Sequence, residues 1–267
     1  MKSKIAVLIP IHKELTSHTS DERALLEQTK KVFKDRPLFL FGPDSLASSF
    51  RLEEPFEFTP FDGKYFKDKF TYSKLLCSLE FYESFASYDF VQIVQTDCWV
   101  FEDKLDHFAA SGLDYVGAPW MKNGFEGKPE PELWKVGNGG FSLRKVSSFL
   151  SVIKQIKSAK KGTYPVFSDC GQGLVGALKQ RGIRNNLKHY IKSPPGEDIF
   201  WSIYVPLVFG KNEFNVADPK TAAHYSFETL PRYLYESVTK GTLPIGCHNW
   251  SRNDPDFWQT HIPLQDV

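Results

Sequence analysis

Short apolar runs alternate with amphipathic stretches through the first half of the chain. Residues 5–11 form a continuous apolar run and read as a buried strand. Residues 20–33 carry helical spacing, with Ser20 as the expected N-cap and Arg23 three residues on, so no capping box is expected. Residues 37–41 give a second strand closed by Gly42 and Pro43. Leu75, Leu76, Leu79, Phe81, Tyr82 and Phe85 recur at helical intervals and predict one helix over 72–85. A strand over 90–96, a short helix over 105–110 and a strand over 115–118 closed by Pro119 follow. Strands alternating with helices predict βαβ units, hence an α/β fold with a mainly parallel central sheet flanked by helices.

The second half reads differently. Residues 121–138 are rich in Gly, Pro, Lys and Glu and read as a loop. The run Gly137-Asn138-Gly139-Gly140 leads towards a helix over 145–157, and residues 158–172 read as a polar loop. A helix is expected over 197–208, with Pro206 near its end or kinking it. The tail holds isolated aromatics and histidines with little periodicity. Without an internal repeat, a low-complexity segment or a linker, residues 1–267 read as a single domain.

Composition narrows the function classes. At 267 residues, 41% hydrophobic and 24% charged, the chain has the make-up of an ordinary globular protein. A net charge of +1 argues against a broad grip on nucleic acid and makes any phosphate recognition local. Cys77, Cys98, Cys170 and Cys247 are scattered without close pairs, which predicts neither a metal cluster nor a disulfide framework and suits a reducing cytosol. The first apolar run is short, contains Pro10 and lacks a small-residue cleavage site, so it does not read as a signal peptide. No apolar run reaches the roughly 18 residues a membrane span needs. The 23 Phe, 11 Tyr and 6 Trp suit sugar faces, and equally suit a core.

Four places could carry chemistry. Asp97 ends the apolar run that starts at Phe90, where an open α/β sheet binds ligands; it reads equally as the cap of a helix starting near Glu102. The glycines at 137, 139 and 140 permit close backbone approach to a ligand, or else form a tight turn before a strand, and their spacing matches neither a dinucleotide fingerprint nor a P-loop. Glu197 and Asp198 open a helix, where one acid could act as a general base or both could simply favour the helix dipole. His248, in a Gly-Cys-His-Asn-Trp context, could ligate a metal or be a hydrogen-bonded structural histidine. Lys74, following Lys64, Lys67 and Lys69, could meet a phosphate as a point charge.

In this order, the stretches AVLIPIHKE, YSKLLCSLEFY, VQIVQTDCWVF, DYVGAPW, VGNGGFSLR, EDIFW and GCHNW resemble a GT-A fold glycosyltransferase. More narrowly, they resemble an uncharacterised bacterial family of GT-A-like proteins found with surface-polysaccharide genes. The resemblance implies a Rossmann-related fold and a nucleoside diphosphate sugar donor bound by Pro10, His12, Lys74, Gln95, Asp97, Asn138, Gly139 and Gly140. The usual Asp-x-Asp metal motif would fall on Gln95-Thr96-Asp97, where only the last acid is present. The implied cofactor is a divalent cation, Mn or Mg, held by Asp97 and His248. Asp198, with Glu197 as the alternative, would be the base of an inverting transfer. The implied acceptor is a carbohydrate or lipid-linked glycan, with no nucleic-acid partner. The implied setting is cytoplasmic, including peripheral association with the inner membrane face. Two rivals are a nucleotidyltransferase, which wants a glycine- and lysine-rich loop where this chain has Pro10-Ile11-His12-Lys13-Glu14, and a non-catalytic carbohydrate-binding module.

Overall fold

The structure is a computed structural model that describes residues 2–50, 55–122, 131–160, 164–166 and 185–263. In chain order the strands are β1 (Ile5–Pro10), β2 (Leu38–Pro43), β3 (Phe56–Phe61), β4 (Phe90–Val94), β5 (Cys98–Val100), β6 (Tyr115–Val116), β7 (Ala118–Met121), β8 (Leu133–Gly137), β9 (Phe141–Lys145), β10 (Ser226–Phe227) and β11 (Gly246–His248). The first five helices are α1 (Ser20–Val32), α2 (Lys69–Leu75), α3 (Leu79–Ser84), α4 (Leu105–Ala109) and α5 (Val146–Ser158).

The main sheet has the order β3-β2-β1-β4-β9-β6. β3, β2, β1 and β4 run parallel, and β9 is antiparallel to both of its neighbours. This matches the expected α/β architecture with a mainly parallel sheet. β1 and β4 are buried along nearly their whole length because both faces of a parallel sheet are covered, so their sequences run apolar without alternation. Each such Val, Ile or Leu contributes about 1.5–3 kcal/mol through burial. The one polar residue in β4, Gln92, is fully buried; its amide donates to the Ile93 carbonyl and its oxygen accepts from the Tyr225 hydroxyl.

Local structure departs from the sequence reading at several points. The N-cap of α1 is Thr19, and Glu22 completes a reciprocal capping box, one residue earlier than expected. The predicted helix over 72–85 is two helices. The break at residues 76–78 leaves the Leu76 carbonyl free, and it accepts from the Tyr82 hydroxyl and the Trp201 indole, both at 3.0 Å. Ser78 then caps α3 by accepting from Phe81 N. Pro119 does not close a strand: it lies inside β7, paired with Val136 of β8, within the stretch expected to be loop. β9 intervenes between the glycine run and α5, so the glycines form a turn before a strand. β3 was not expected from the sequence pattern.

The helix expected over 197–208 is present, and it opens into a π-turn over residues 200–204 ahead of Pro206. Proline cannot supply an amide hydrogen and crowds the carbonyl four residues back, so the wider turn absorbs the misfit. The aperiodic tail is ordered. β10, β11 and β5 form a small sheet, and Trp99, Phe227, Trp250, Phe257 and Trp258 form a second apolar cluster beside it. The expected polar loop over 158–172 lies largely outside the described residues, as does Cys170. Cys77, Cys98 and Cys247 are buried free thiols.

Candidate functional site

Between β1 and β4 the sheet order reverses: the chain goes outward to β2 and β3 on one side and returns to β4 on the other. Such a switch point opens a crevice at the carboxyl ends of the two strands. β1 ends at Pro10, and β4 empties into Gln95, Thr96 and Asp97. A cavity of about 530 Å³ lies there. Pro10, Ile11 and His12 form one wall, Phe66 to Lys69 with Tyr72 form another, and Gln95, Thr96 and Asp97 form the floor. Lys74 is exposed on α2 and does not line this cavity, whereas Lys67 and Lys69 do.

Asp97 is followed at once by β5, so it does not cap a helix. β5 pairs antiparallel with β11 and sets Cys98 opposite His248, and Asn249 N donates to the Asp97 carbonyl at 3.0 Å. This pairing brings His248 Nε2 within 3.2 Å of Asp97 Oδ1. β10 runs beside β11 and delivers Glu228, whose Oε1 lies 3.0 Å from His248 Nδ1. The imidazole is thus clamped between two carboxylates. Burial would lower its pKa, but the hydrogen bonds to Asp97 and Glu228 outweigh that and push it up to about 9. For Asp97 burial acts upward, and the hydrogen bond and charge of His248 turn the net shift downward.

The donor set suits a hard divalent cation. Two ligands of one octahedral ion about 2.1 Å away from it sit roughly 3 Å apart, close to the Asp97–His248 separation. Glu228 on Nδ1 stands where an outer carboxylate orients the imidazole at known metal sites. Cys98 is near enough to join the group, but its thiol donates to the Gly140 carbonyl and burial pushes its pKa well up, so it stays protonated.

The glycine turn joins this clamp to the acidic pair. Asn138 has φ of 65°, and its Oδ1 accepts from Gly140 N at 3.0 Å, fixing the turn. Gln95 N donates to the Gly140 carbonyl at 2.8 Å, tying the turn to the end of β4. A Cβ on Gly140 would stand 2.4 Å from His248 Nε2 and 2.9 Å from Gln95 Oε1. A Cβ on Gly139 would stand 1.6 Å from Glu197 Oε1. Both positions need glycine because the side chains of His248, Gln95 and Glu197 press against the backbone.

Glu197 and Asp198 have different surroundings. Glu197 is buried and its Oε1 lies 3.0 Å from Arg144 Nη2. Arg144 is fully buried on β9 and also donates to Ser142, Tyr82 and the Gly139 carbonyl. Burial raises the Glu197 carboxyl to about 7, with Arg144 pulling the other way. Asp198 is partly exposed, and its Oδ1 accepts from Ile199 N at 2.8 Å. Burial raises its pKa, the Ile199 amide opposes this, and the negative charge of Glu228 adds to the rise. Asp198 therefore lies within electrostatic reach of Glu228, while Glu197 is committed to Arg144.

Sequence reasoning did not find Glu228 or Arg144. Glu228 lies in an aperiodic stretch, and its role depends on the β10–β11 pairing. Arg144 sits at a position that reads as ordinary strand sequence, and its buried partner is 53 residues away.

A family model described as a protein of unknown function (DUF5672) matches residues 55–248, most of the chain. No curated protein matches it. Among solved structures, similarity is found to the glycosyltransferase GlyE of Streptococcus pneumoniae TIGR4, at 12% identity and a TM-score of 0.48, covering 95% of this chain and 56% of that one. The chain thus spans little more than half of that protein's length. It is also similar to a glycosyltransferase involved in glycosylation of the major capsid of PBCV-1, at 12% identity and a TM-score of 0.46, covering 96% and 97% of the two chains. A third is the galactosyltransferase LgtC in complex with donor and acceptor sugar analogs, at 10% identity and a TM-score of 0.46, covering 91% and 86%.

Proposed function

The chain belongs to the DUF5672 family, and we propose that it is a glycosyltransferase that moves a sugar from a nucleoside diphosphate sugar to an acceptor hydroxyl. The observation that carries this reading is the Asp97–His248–Glu228 clamp at the open end of the β1/β4 switch point, beside a cavity lined by Lys67 and Lys69. A diphosphate brought there meets two lysine charges and a carboxylate–imidazole pair suited to a divalent cation.

Pro10, His12 and Gln95 line the donor cavity. Asn138 and the two glycines after it bring backbone close to the reacting sugar. Asp97 and His248 would hold a divalent cation, which would supply positive charge to offset the charge developing on the departing diphosphate. Asp198, with its pKa raised, takes the proton of the acceptor hydroxyl. That oxygen forms a bond to the anomeric carbon as the bond to the diphosphate breaks, and nucleoside diphosphate leaves. Attack opposite the leaving group inverts the anomeric centre. Glu197 holds the helix start and the glycine turn through Arg144.

The experiment is a thermal-shift screen with UDP-, GDP-, CMP- and dTDP-sugars, followed by hydrolysis assays with and without Mn²⁺. A ligand that binds only the folded protein raises its apparent stability. One nucleotide class is expected to shift the melting point, Asp97→Asn to weaken that shift, and Asp198→Asn to keep binding while losing turnover. Undiminished turnover in both variants sinks the assignment.

A further inference from the structure

A second cavity, of about 830 Å³, opens beside the segment that follows Glu228. It is lined by residues 229–233, by Glu236 and Ser237, and by Arg252, Asn253 and Asp254, and it shares no residue with the switch-point cavity. It is nonetheless coupled to the clamp. Thr229 follows Glu228, which holds His248 Nδ1. Arg252 N and Asn253 N both donate to the carbonyl of Asn249, whose own amide donates to Asp97.

The lining is chemically specific. Arg232 is used up in a two-point pair with Asp254, at 3.1 and 3.2 Å. Arg252 is exposed and makes no salt bridge among the described residues, and its charge reaches Asp97. The same lining includes Ser237, Asn253 and Glu236, with Tyr233 and Leu230 as apolar surface. Hydrogen-bonding groups beside an aromatic side chain suit a sugar, and an unpaired guanidinium suits an anionic group on it. The backbone is held in costly conformations here: Leu230, Asn249 and Asp254 have φ of 50°, 53° and 55°. Left-handed non-glycine residues persist where the surroundings over-determine them, and they cluster at binding sites.

We propose that this second cavity binds an acidic glycan, the part of the acceptor away from the hydroxyl that meets Asp198, with Arg252 receiving its carboxylate or phosphate. The proposal rests on the glycosyltransferase reading for the term acceptor, while the binding of an acidic glycan stands apart from it.

The test is binding of neutral, uronic-acid-containing and phosphate-bearing oligosaccharides to the whole chain and to Arg252→Gln and Ser237→Trp. Both side chains are exposed, so neither change disturbs the core. The protein is expected to bind one acidic class over neutral glycans, and the class bound separates carboxylate from phosphate. Arg252→Gln should lower that affinity by about tenfold or more, the effect of losing one charge-assisted hydrogen bond, and Ser237→Trp should block the cavity. Binding of neutral glycans alone, no glycan binding, or acidic-glycan binding unchanged in both variants overturns the proposal. Nucleotide-sugar thermal shifts on the same proteins separate the two readings. Acidic-glycan binding without any nucleotide shift leaves the cavity and removes the transferase. A nucleotide shift lost in Arg252→Gln with glycan binding intact assigns Arg252 to the donor instead.

Discussion

Gly140 and Arg144 set the geometry of the site from opposite sides of one turn. An alanine at 140 would put its methyl 2.4 Å from His248 Nε2, and the imidazole can retreat only by giving up Asp97 or Glu228. A displacement of about 1 Å at a reacting centre costs on the order of a hundredfold in rate. Gly140→Ala is therefore expected to fold and to lose nucleotide-sugar turnover by about that factor, measured by nucleoside diphosphate release. Wild-type turnover in the variant would show that His248 is not part of the machinery. Arg144 acts through burial. Replacing it with methionine leaves Glu197 buried without its cation, forcing it to take up a proton or stay unpaired, and breaking a buried pair from one side costs up to about 3–5 kcal/mol. Chemical denaturation should show that loss for Arg144→Met, and the double variant with Glu197→Gln should lose clearly less than the two single changes added together. Strict additivity would mean that the pair is not coupled. The density of glycine at 137–140, costly in chain entropy, marked a place of close backbone approach or a tight turn before a strand, and the turn is what forms. The sequence could not show what the glycines at 139 and 140 make room for, since the nearest atoms belong to residues 197 and 248.

Between residue and molecule, the elements show where pattern reading succeeds. β1 and β4 are legible because a strand covered on both faces is apolar at every position. The 72–85 region misleads because two short helices in line keep helical spacing across their break. What distinguishes them is tertiary: the freed Leu76 carbonyl is taken up by Trp201, 125 residues away. β3 escapes notice because it carries Pro60 and three partly or fully exposed residues, as an edge strand can. The break makes a prediction of its own. Ser78 satisfies the Phe81 amide at 3.1 Å, and removing such a cap costs about 1 kcal/mol. Ser78→Ala should lower the urea midpoint accordingly while leaving nucleotide-sugar affinity unchanged, because α3 lines neither cavity. A variant of full stability would mean that the helix start is held by the Leu76 contacts alone.

Across the whole molecule, the chain passes from β4 of the main sheet into β5 of the small one, and the β5–β11 pairing within the small sheet sets His248 beside Asp97. Asp97 comes from the end of β4, while His248 and Glu228 come from the small sheet. That Asp97 stands at the carboxyl end of a central strand was readable from an apolar run ending in an acid. The clamp was not readable, because it needs a pairing across about 150 residues of chain. The clamp makes overall stability depend on pH. His248 has a folded pKa of about 9 against an ordinary value of 6.5, so between those values the folded protein keeps a proton that the unfolded chain releases. Its contribution is fully present below pH 6.5 and is lost as pH rises through 9, and a shift of that size amounts to about 3 kcal/mol. Urea denaturation at pH 6, 7.5 and 9 should show this decline in the wild type, and His248→Asn should be much flatter across the same window. A divalent cation needs the neutral imidazole, so its binding must release the proton, and added Mn²⁺ should stabilise the protein more at pH 9 than at pH 6. Equal stabilisation at both values would mean that the ion is not bound through His248, and a wild-type stability as flat as the variant's would mean that the imidazole is not held charged between Asp97 and Glu228.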